Sequence, residues 1–324
     1  MKCCSTLCLV LFFGAFVSVN PAAAQRLPFE RAFDVPGPVD LEVSTIRGKI
    51  DVLPGEAGRV VVTGTVTVRV GWDVPANALD LAEKAAKAPP IEVSGKTVRL
   101  GPPIDDATRR AVTIAYQVRV PPQSAVRTTS DSGATAVGRI SGAVAVRTQS
   151  ATIDLSSLGG AVTVTTGSGE VNVDGVGGAL SIETGSSRIT ARGLAAAFRV
   201  RTETGEVVAT LTGQGDVDVE TGSSAIRLDG VRGSVVVATR SGRVIVEGNP
   251  SRDWALTTGS SNVEVTLDGT AAVQLDAASR SSVRVEHPAF KGTSEKRRAS
   301  GTIGPGGPLV RITSRSGQIH VQHN

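Results

Sequence analysis

The chain has 324 residues, and its 34 lysines and arginines against 30 aspartates and glutamates give a formal net charge of +4. Charges of both signs are mixed along the chain, and this weakly basic balance indicates no particular polyanionic partner. The cysteines lie at positions 3, 4 and 8, which excludes disulfides, thiol catalysis and cysteine-based metal sites from the rest of the chain. Aromatic residues make up 3 %, so exposed aromatic platforms for sugars or nucleic-acid bases are not expected.

Residues 1–24 have the features of a signal peptide. Lys2 supplies a positive start, residues 7–19 are apolar, and three alanines at 22–24 offer a small-residue cleavage site. The apolar run is short for a helix that crosses a membrane. We therefore expect an exported protein in the periplasm, at the cell surface or outside the cell, with no membrane span in the mature chain.

Residues 25–124 are predicted to form an N-terminal β cap region. Residues 39–52 are one imperfect early copy of the repeat described below, with Thr45 in its central position. The strongest strand pattern of the chain follows at residues 60–70. Two further strands are predicted at residues 91–100 and 111–120.

A short helix is predicted at residues 75–88, inside this cap region. Asp73 can cap its start, and Leu79, Ala82 and Ala86 then fall on one face. A lone helix among strands is expected to cover a sheet edge or the end of a solenoid, because backbone groups there would otherwise lack partners.

From Ser130 onward the sequence repeats itself about every 18 residues. The clearest unit is VTVTTGSGEVNVDGVGG (162–178), in which alternating apolar residues flank a threonine and a glycine-serine corner. A fixed period of this size with two short strands per unit is typical of a stacked solenoid. The hydroxyl residues that recur once per unit, here called the anchors, are Ser130, Thr148, Thr166, Thr184, Thr202, Thr221, Thr239 and Thr258.

The predicted fold is therefore all-β: a single-stranded, β-helix-like solenoid of about 18-residue coils over residues 125–321, preceded by the cap region. Each coil has two pairs of inward-facing residues, such as Val162 with Val164 and Val171 with Val173. A third inward residue follows at a glycine corner in most coils. These third residues are Leu158, Val176, Leu194, Leu211 and Val231.

The regularity weakens toward the C-terminus. One-residue expansions are expected near Gly213 and Pro250. Residues 288–308 are polar, basic and rich in glycine and proline, which predicts a long surface-loop insertion. A last copy of the repeat at residues 310–321 is expected to close a stack of about nine coils.

Charges at outward-facing positions allow a test of the stacking. If coils stack in register, residues one period apart lie ~4.8 Å apart and should alternate in sign. Directly before the anchors the series is Arg147, Thr165, Glu183, Arg201 and Glu220, and four places after the anchors it is Thr152, Glu170, Arg188, Glu206, Ala225 and Arg243. The alternation predicts parallel, in-register coils with exposed ion pairs that set the register.

Two sets of residues allow both a functional and a structural interpretation. Asp216, Asp218 and Glu220 line one strand face and could hold calcium. Stacking would place Asp218 beside Arg199 and Glu220 beside Arg201, which favours a salt-bridge ladder. The anchors could order water as in ice-binding solenoids, but their neighbours are charged, which favours hydroxyl groups that bond from coil to coil.

No catalytic, cofactor-binding or metal-binding residue is predicted, and we expect that the protein is not an enzyme. His287, His320 and His323 lie near the C-terminus without the spacing of a catalytic triad or metal site. The TGSG segments precede strands instead of helices, unlike phosphate-binding loops. The basic segment 291–298 could touch an anionic surface, but a solvated loop is the favoured interpretation.

Several segments together resemble the bacterial putative-adhesin family of β-strand-repeat proteins, which carry a domain of unknown function. They are the opening FDVPGPVDLEVSTIRGKIDV, the helix-bearing insertion, the coils of the TGSGEVNVDGVGG type and the closing LVRITSRSGQIHV. The resemblance covers most of residues 33–321. It implies an exported, non-enzymatic β-solenoid and brings no functional residues with it.

Three functions are considered. The first is an adhesin-like protein of the cell envelope or surface, whose partner is a protein or a cell-surface ligand and not a nucleic acid. The alternative is a periplasmic structural or envelope-stress scaffold with no external ligand. The third is a carbohydrate-active solenoid, against which the paired charges and scarce aromatic residues argue.

Overall fold

The computed structural model describes residues 25–101 and 105–324, so the predicted signal peptide lies outside the described residues. The helices are α1 (Ala78–Lys87) and α2 (Asp106–Ala111). The strands are β1 (Arg26–Asp34), β2 (Asp40–Thr45), β3 (Ile50–Pro54), β4 (Arg59–Val68), β5 (Ile91–Ser94), β6 (Thr97–Leu100), β7 (Val112–Val120), β8 (Ala125–Ser130), β9 (Thr135–Gly138), β10 (Val144–Leu158), β11 (Val162–Val176), β12 (Leu180–Leu194), β13 (Phe198–Leu211), β14 (Val217–Val231), β15 (Val235–Ser241), β16 (Val244–Gly248), β17 (Trp254–Thr258), β18 (Val263–Leu267), β19 (Val273–Ser279), β20 (Val283–Glu286), β21 (Phe290–Ser294), β22 (Arg298–Ile303), β23 (Leu309–Ser314) and β24 (Ile319–His323).

The body of the molecule is a stack of coils joined by parallel backbone hydrogen bonds. Strands β11 to β13 each pair along most of their length with the strand before and the strand after. The register follows the sequence period, since Thr148 lies opposite Ser130 and Thr166, and the column of anchors continues unbroken to Thr258. The predicted all-β solenoid of in-register coils is confirmed.

Small apolar side chains fill the interior of the stack. Val164, Ile182 and Val200 lie opposite one another in successive coils and are completely buried. The predicted third inward residues are buried as well. Each buried side chain of this size contributes ~1.5–3 kcal/mol relative to exposure. The interior is therefore continuous along the stack and is built from many equivalent small contributions.

The corner that follows each anchor has two alternating conformations. In one, the residue three places after the anchor is a glycine with left-handed backbone, as at Gly169 (φ 129), and the Thr166 hydroxyl donates to the Ser168 carbonyl at 2.9 Å. In the other, that residue is a buried serine or alanine, and the hydroxyls of Thr184 and Ser187 bond at 2.6 Å. The two types alternate from Ala151 to Gly242, so over these corners the repeating unit is two coils.

We predicted that the anchor hydroxyls bond from coil to coil, but only a minority of the anchors do so. Thr221 donates to the Thr239 hydroxyl at 2.9 Å, but Thr202 and Thr166 donate within their own corners. Almost all anchors point into the coil and are buried. Most of them bond to a carbonyl or hydroxyl of their own turn, whereas Thr148 and Thr221 donate to the neighbouring coil. A buried column cannot order water on its surface, which removes the ice-binding interpretation.

The order of the coils in space differs from their order in the chain at both ends. Strand β2 lies between β6 and β8, and β3 lies between β7 and β9. Likewise β23 lies between β17 and β19, and β24 between β18 and β20. The last copy, residues 310–321, therefore does not close the stack as predicted. It is the penultimate coil, because a parallel strand can pair on both of its edges and the chain returns to fill a gap.

In spatial order the described residues form a stack of twelve coils. Ten of them come from residues 125–321, where about nine were predicted, and two come from the cap region. The twelve coils are β6–β7, β2–β3, β8–β9, β10, β11, β12, β13, β14, β15–β16, β17–β18, β23–β24 and β19–β20. At ~4.8 Å per step the stack is about 50 Å long.

Antiparallel strands cover edges at both ends. At the N-terminal end β4 pairs with β7, β1 pairs with β4, and β5 pairs with β6. At the C-terminal end β22 pairs with β19 and β21 pairs with β22. The segment 288–308 is thus a β-hairpin and not the predicted loop. Its sequence shows no clear alternation of apolar and polar residues, because only Ala299 and Ile303 of β22 are fully buried.

The helical segments differ from the prediction at their boundaries. Helix α1 begins at Ala78, with Asn77 as its N-cap residue, and Asp73 forms an ion pair with Arg69 at 3.5 Å instead of capping. Its buried residues are alanines, and Leu79 is 41 % exposed. Helix α2 was not predicted. Its N-cap residue is Asp105, whose side chain accepts a hydrogen bond from the Thr108 amide at 2.9 Å, and aspartate is a common N-cap residue that the sequence shows.

The penultimate position of the last copy can be tested at Ile312, which is completely buried between β17 and β19. We expect Ile312→Ala to lower the free energy of unfolding by ~2–5 kcal/mol, because it removes a core side chain. Amide hydrogen exchange should accelerate in both β17 and β19. The exposed neighbour Thr313 gives the control Thr313→Ala, with an expected change within ~0.5 kcal/mol. Acceleration confined to β17 would contradict the penultimate position.

The glycine corner can be tested at Gly169. A Cβ there would lie 2.1 Å from the Ala151 carbonyl oxygen of the neighbouring coil, and the backbone is left-handed. We expect Gly169→Ala to lower the free energy of unfolding in urea by at least ~2 kcal/mol. Gly95→Ala is the matched control, since Gly95 is also left-handed but has open space around it, and should cost ~1 kcal/mol. Equal losses would show that the coil spacing tolerates a Cβ.

Candidate interaction surface

The acidic residues considered for calcium are each held by an arginine. Asp218 forms an ion pair with Arg199 at 3.0 Å, and Glu220 with Arg201 at 3.6 Å, as the stacking predicts. All four side chains are substantially exposed, so each pair contributes ~0.2–1 kcal/mol and mainly fixes the register. The geometry supports the salt-bridge ladder.

The partner of Asp216 was not predicted. Arg252 lies in an enlarged corner two coils farther along and contacts Asp216 at 2.8 Å, while it also donates to the Gln214 carbonyl at 2.9 Å. The Ser234 amide donates to the same carboxylate at 3.0 Å. The hydrogen bonds from Ser234 first, and then the charge of Arg252, hold the pKa of Asp216 below its usual range. Arg252, in the enlarged corner near Pro250, thus contacts Asp216 and Gln214 in the enlarged corner near Gly213.

Opposite charges face each other along the outer surfaces of the stack. Arg188 contacts Glu206 at 3.4 Å, and Glu42 receives Arg99 at 2.9 Å and Arg127 at 3.3 Å. Among the paired positions of the parallel ladders in residues 25–101 and 105–324, no two like charges lie opposite each other. Like charges are therefore kept apart along the parallel ladders.

A column of exposed hydroxyl groups runs along the corner beside the anchors. Its members, here called the hydroxyl column, stand two places after an anchor position in ten coils: Ser132, Ser150, Ser168, Ser186, Thr204, Ser223, Ser241, Ser260, Ser316 and Ser281. They are exposed or half-buried, and neighbours bond in places, such as Ser223 with Ser241 at 2.8 Å. The column extends over about 40 Å. Sequence reasoning missed it, although the serine recurs with every anchor.

A cleft of about 700 Å³ lies near the N-terminal end of the stack. Strand β6 ends at Leu100, opposite Val43, and the next paired residue of that coil is Tyr116, opposite Ile50. Among the described residues, the parallel ladder has no position opposite Thr45 in this outermost coil. The Thr45 hydroxyl donates instead to the Ile114 carbonyl at 3.3 Å, and the cleft opens at this corner.

Tyr116 is the unusual polar group of this cleft. The side chain is 2 % exposed, and its hydroxyl has no hydrogen-bond partner among the described residues. Burial raises the pKa of Tyr116, because the phenolate would lose its hydration. The neutral phenol is enclosed, since its oxygen has almost no accessible surface. It does not serve as a base at neutral pH, and nearby Glu42 is already engaged by two arginines.

The three histidines come together at the C-terminal end without forming a catalytic arrangement. His320 contacts Glu286 at 2.7 Å, and the rings of His287 and His323 meet edge to face with centroids 5.3 Å apart. The hydrogen bond from His320, supported by Arg284, lowers the pKa of Glu286. In the described part of the chain, no group of three or more His, Cys, Asp or Glu residues is arranged to hold a metal ion. No helix of the described residues is long and apolar enough to cross a bilayer.

Comparisons with known proteins give one family match. The model of the Toastrack DUF4097 family matches residues 122–322. No curated protein matches the chain. A crystal structure of a "putative cell adhesion protein" from Clostridium sporogenes is similar, with 10 % identity over 92 % of this chain and 100 % of that chain, and a TM-score of 0.23. A likeness of that degree carries no argument about fold or function.

The environment of Asp216 predicts a pH-dependent contribution to stability. Because the folded carboxylate has a lowered pKa, its contribution is complete above the usual aspartate range and disappears as the pH falls through the folded pKa. We expect Asp216→Asn to lower the free energy of unfolding at pH 7 by no more than about 1 kcal/mol, since the group is half exposed, and we expect this difference to shrink as the pH falls below the usual aspartate range.

The measurement is thermal unfolding of both proteins across this pH range. Asp174→Asn is the control, since Asp174 is exposed and stacked opposite Arg192 without a backbone hydrogen bond to its carboxylate. A difference between Asp216→Asn and the parent that does not shrink on acidification would refute the assigned role of the carboxylate.

Proposed function

Because the chain belongs to the Toastrack DUF4097 family, whose model covers most of its solenoid, we propose that it is an exported, non-enzymatic β-solenoid. Its role in this proposal is adhesin-like: it presents a rigid surface at the cell envelope or cell surface to a protein or cell-surface ligand.

The hydroxyl column is the observation that carries the proposal. Ten serines and threonines repeat at the coil spacing along one corner of the stack. A partner that is itself extended or repetitive can contact such a row at many equivalent points, and many weak contacts on one rigid body add to useful avidity. The hydroxyl column lies on coils whose buried core is continuous, so it is already ordered and little conformational entropy is lost when a partner binds.

The ion pairs of the acidic residues and the raised pKa of Tyr116 support a role without catalysis. The acids of the solenoid that first suggest a site, Asp216, Asp218 and Glu220, are engaged by arginines. The buried phenol of Tyr116 has a raised pKa, which is the wrong direction for a general base.

The alternative of a periplasmic structural or envelope-stress scaffold has one specific observation in its favour. Several charges of the ladders are paired within the chain itself, for example where Arg188 meets Glu206. A surface that pairs its own charges needs no external ligand to be stable. Location in the cell separates the two functions.

The experiment is protease accessibility of a copy with a C-terminal tag, measured in intact cells and after the outer envelope is opened. Surface exposure predicts loss of the tag in intact cells or its appearance in the medium. Protection of the tag until the envelope is opened would contradict the adhesin-like role and favour the periplasmic scaffold. A copy that lacks residues 2–24 is the matched control, because it should stay inside the cell and remain protected under both conditions.

A further inference from the structure

An arginine-rich groove lies at the C-terminal end of the stack, on the same corner as the hydroxyl column. The groove encloses about 740 Å³ and is lined by Arg240, Arg315 and Arg280. Each arginine directly follows an anchor position, after Thr239, Ser314 and Ser279 respectively. We call it the arginine groove.

The permuted order of the coils creates this groove. Ser314 pairs with Thr258 on one side and with Ser279 on the other, so Arg315 and Arg280 become neighbours although 34 residues separate them in the chain. At ~4.8 Å per coil, Arg240 stands about 10 Å from Arg315 along the stack, and Arg280 one further step away. The sequence period alone does not bring these side chains together.

The hairpin adds two more cations at the same place. The amide of Ser279 donates to the Arg297 carbonyl at 2.9 Å, and the amide of Val283 donates to the Lys296 carbonyl at 2.9 Å. The turn of β21 and β22 therefore lies against the corner that carries Arg280. Lys296 and Arg297 are exposed. The basic segment that the sequence predicts as a solvated loop is thus held beside the arginine groove.

The cations of the groove are neighbours and, in the described part of the chain, have almost no acidic partners. Within the described residues, Arg280, Arg315, Lys296 and Arg297 form no ion pair, and Arg240 reaches only Glu203, at 3.9 Å with both side chains about 80 % exposed. The acid of the lining, Glu220, is engaged by Arg201. Neighbouring like charges are unfavourable in a sheet. The described parallel ladders place no two like charges opposite each other, whereas Arg315 and Arg280 directly follow the paired residues Ser314 and Ser279. An anionic ligand between them would supply the missing charge.

The other residues that line the groove indicate which class of anionic ligand fits it. It is made of threonine, serine, glycine and alanine, with the exposed hydroxyls of Thr257 and Thr313 beside the arginines. The described lining holds no aromatic ring on which nucleic-acid bases could stack. It also holds no large apolar side chain that could enter a lipid bilayer. Guanidinium groups and hydroxyls together suit a polymer that carries both carboxylates and hydroxyls.

We propose that the arginine groove binds an anionic polysaccharide, whose carboxylates pair with Arg240, Arg315 and Arg280 while its sugar hydroxyls bond to the neighbouring threonines. This inference deepens the proposed interaction role by naming its ligand class. The chain of sugars would lie along the stack axis, because the arginines follow one another in that direction.

The test is calorimetric titration of the purified protein with polygalacturonate, with neutral dextran as the uncharged comparison, at low and high salt. We expect binding of polygalacturonate that weakens with salt, and no binding of dextran. Arg280→Gln combined with Arg315→Gln should weaken binding about tenfold. The matched control is Arg147→Gln with Arg192→Gln, which removes the same charge from exposed arginines in other coils and should change binding less than about twofold.

The two single variants, Arg280→Gln and Arg315→Gln, accompany the pair and should each show part of the loss; unchanged thermal unfolding confirms that they are folded. Equal weakening by the control pair would overturn the site, because binding would then follow net charge alone. Tighter binding to phosphatidylglycerol vesicles or to single-stranded polydeoxythymidylate would overturn the ligand class. An absence of polygalacturonate binding would overturn this inference without touching the proposed location, since only purified protein is used.

Discussion

The parallel backbone ladder is the interaction on which the rest of the molecule depends. Each coil donates and accepts hydrogen bonds along the stack axis, and the pairing of Thr148 with both Ser130 and Thr166 fixes every other residue at the same spacing. A slip of one residue would turn the apolar face outward in a whole coil. Core, anchors and charge ladders are therefore consequences of one register, and each of them stabilises it in return.

The anchors show how a buried polar group is accommodated within that register. A hydroxyl inside a coil needs a partner. For Thr166 it is a carbonyl turned inward beside a glycine, for Thr184 it is the serine hydroxyl of the same corner, and for Thr221 it is the anchor of the next coil. The glycine form requires a left-handed backbone, which serine avoids, so neighbouring corners differ in shape. Alternation of Gly169, Ser187 and Gly205 lets adjacent coils pack corners of different shape against each other.

Sequence reasoning recovered what depends on periodicity and lost what depends on contacts between distant segments. The registers of Val162 with Leu180 and of Asp218 with Arg199 follow from the repeat, and the family match agrees with the predicted solenoid. The hairpin was missed because its buried residues, Ala299 and Ile303, are too few to make a visible alternation. The Tyr116 cleft and the partner of Asp216 were missed because each depends on a corner whose length departs from the period.

The interleaved ends determine when the fold can be completed. The outermost C-terminal coil, β19–β20, pairs in parallel with β23 and β24, which follow it in the chain. Until β23 and β24 have been synthesised, β19 and β20 have no parallel neighbour, whereas each central coil can pair with the coil made just before it. The C-terminal end of the stack is therefore completed out of chain order, and β23–β24 act as a latch that joins the coil β17–β18 to the coil β19–β20.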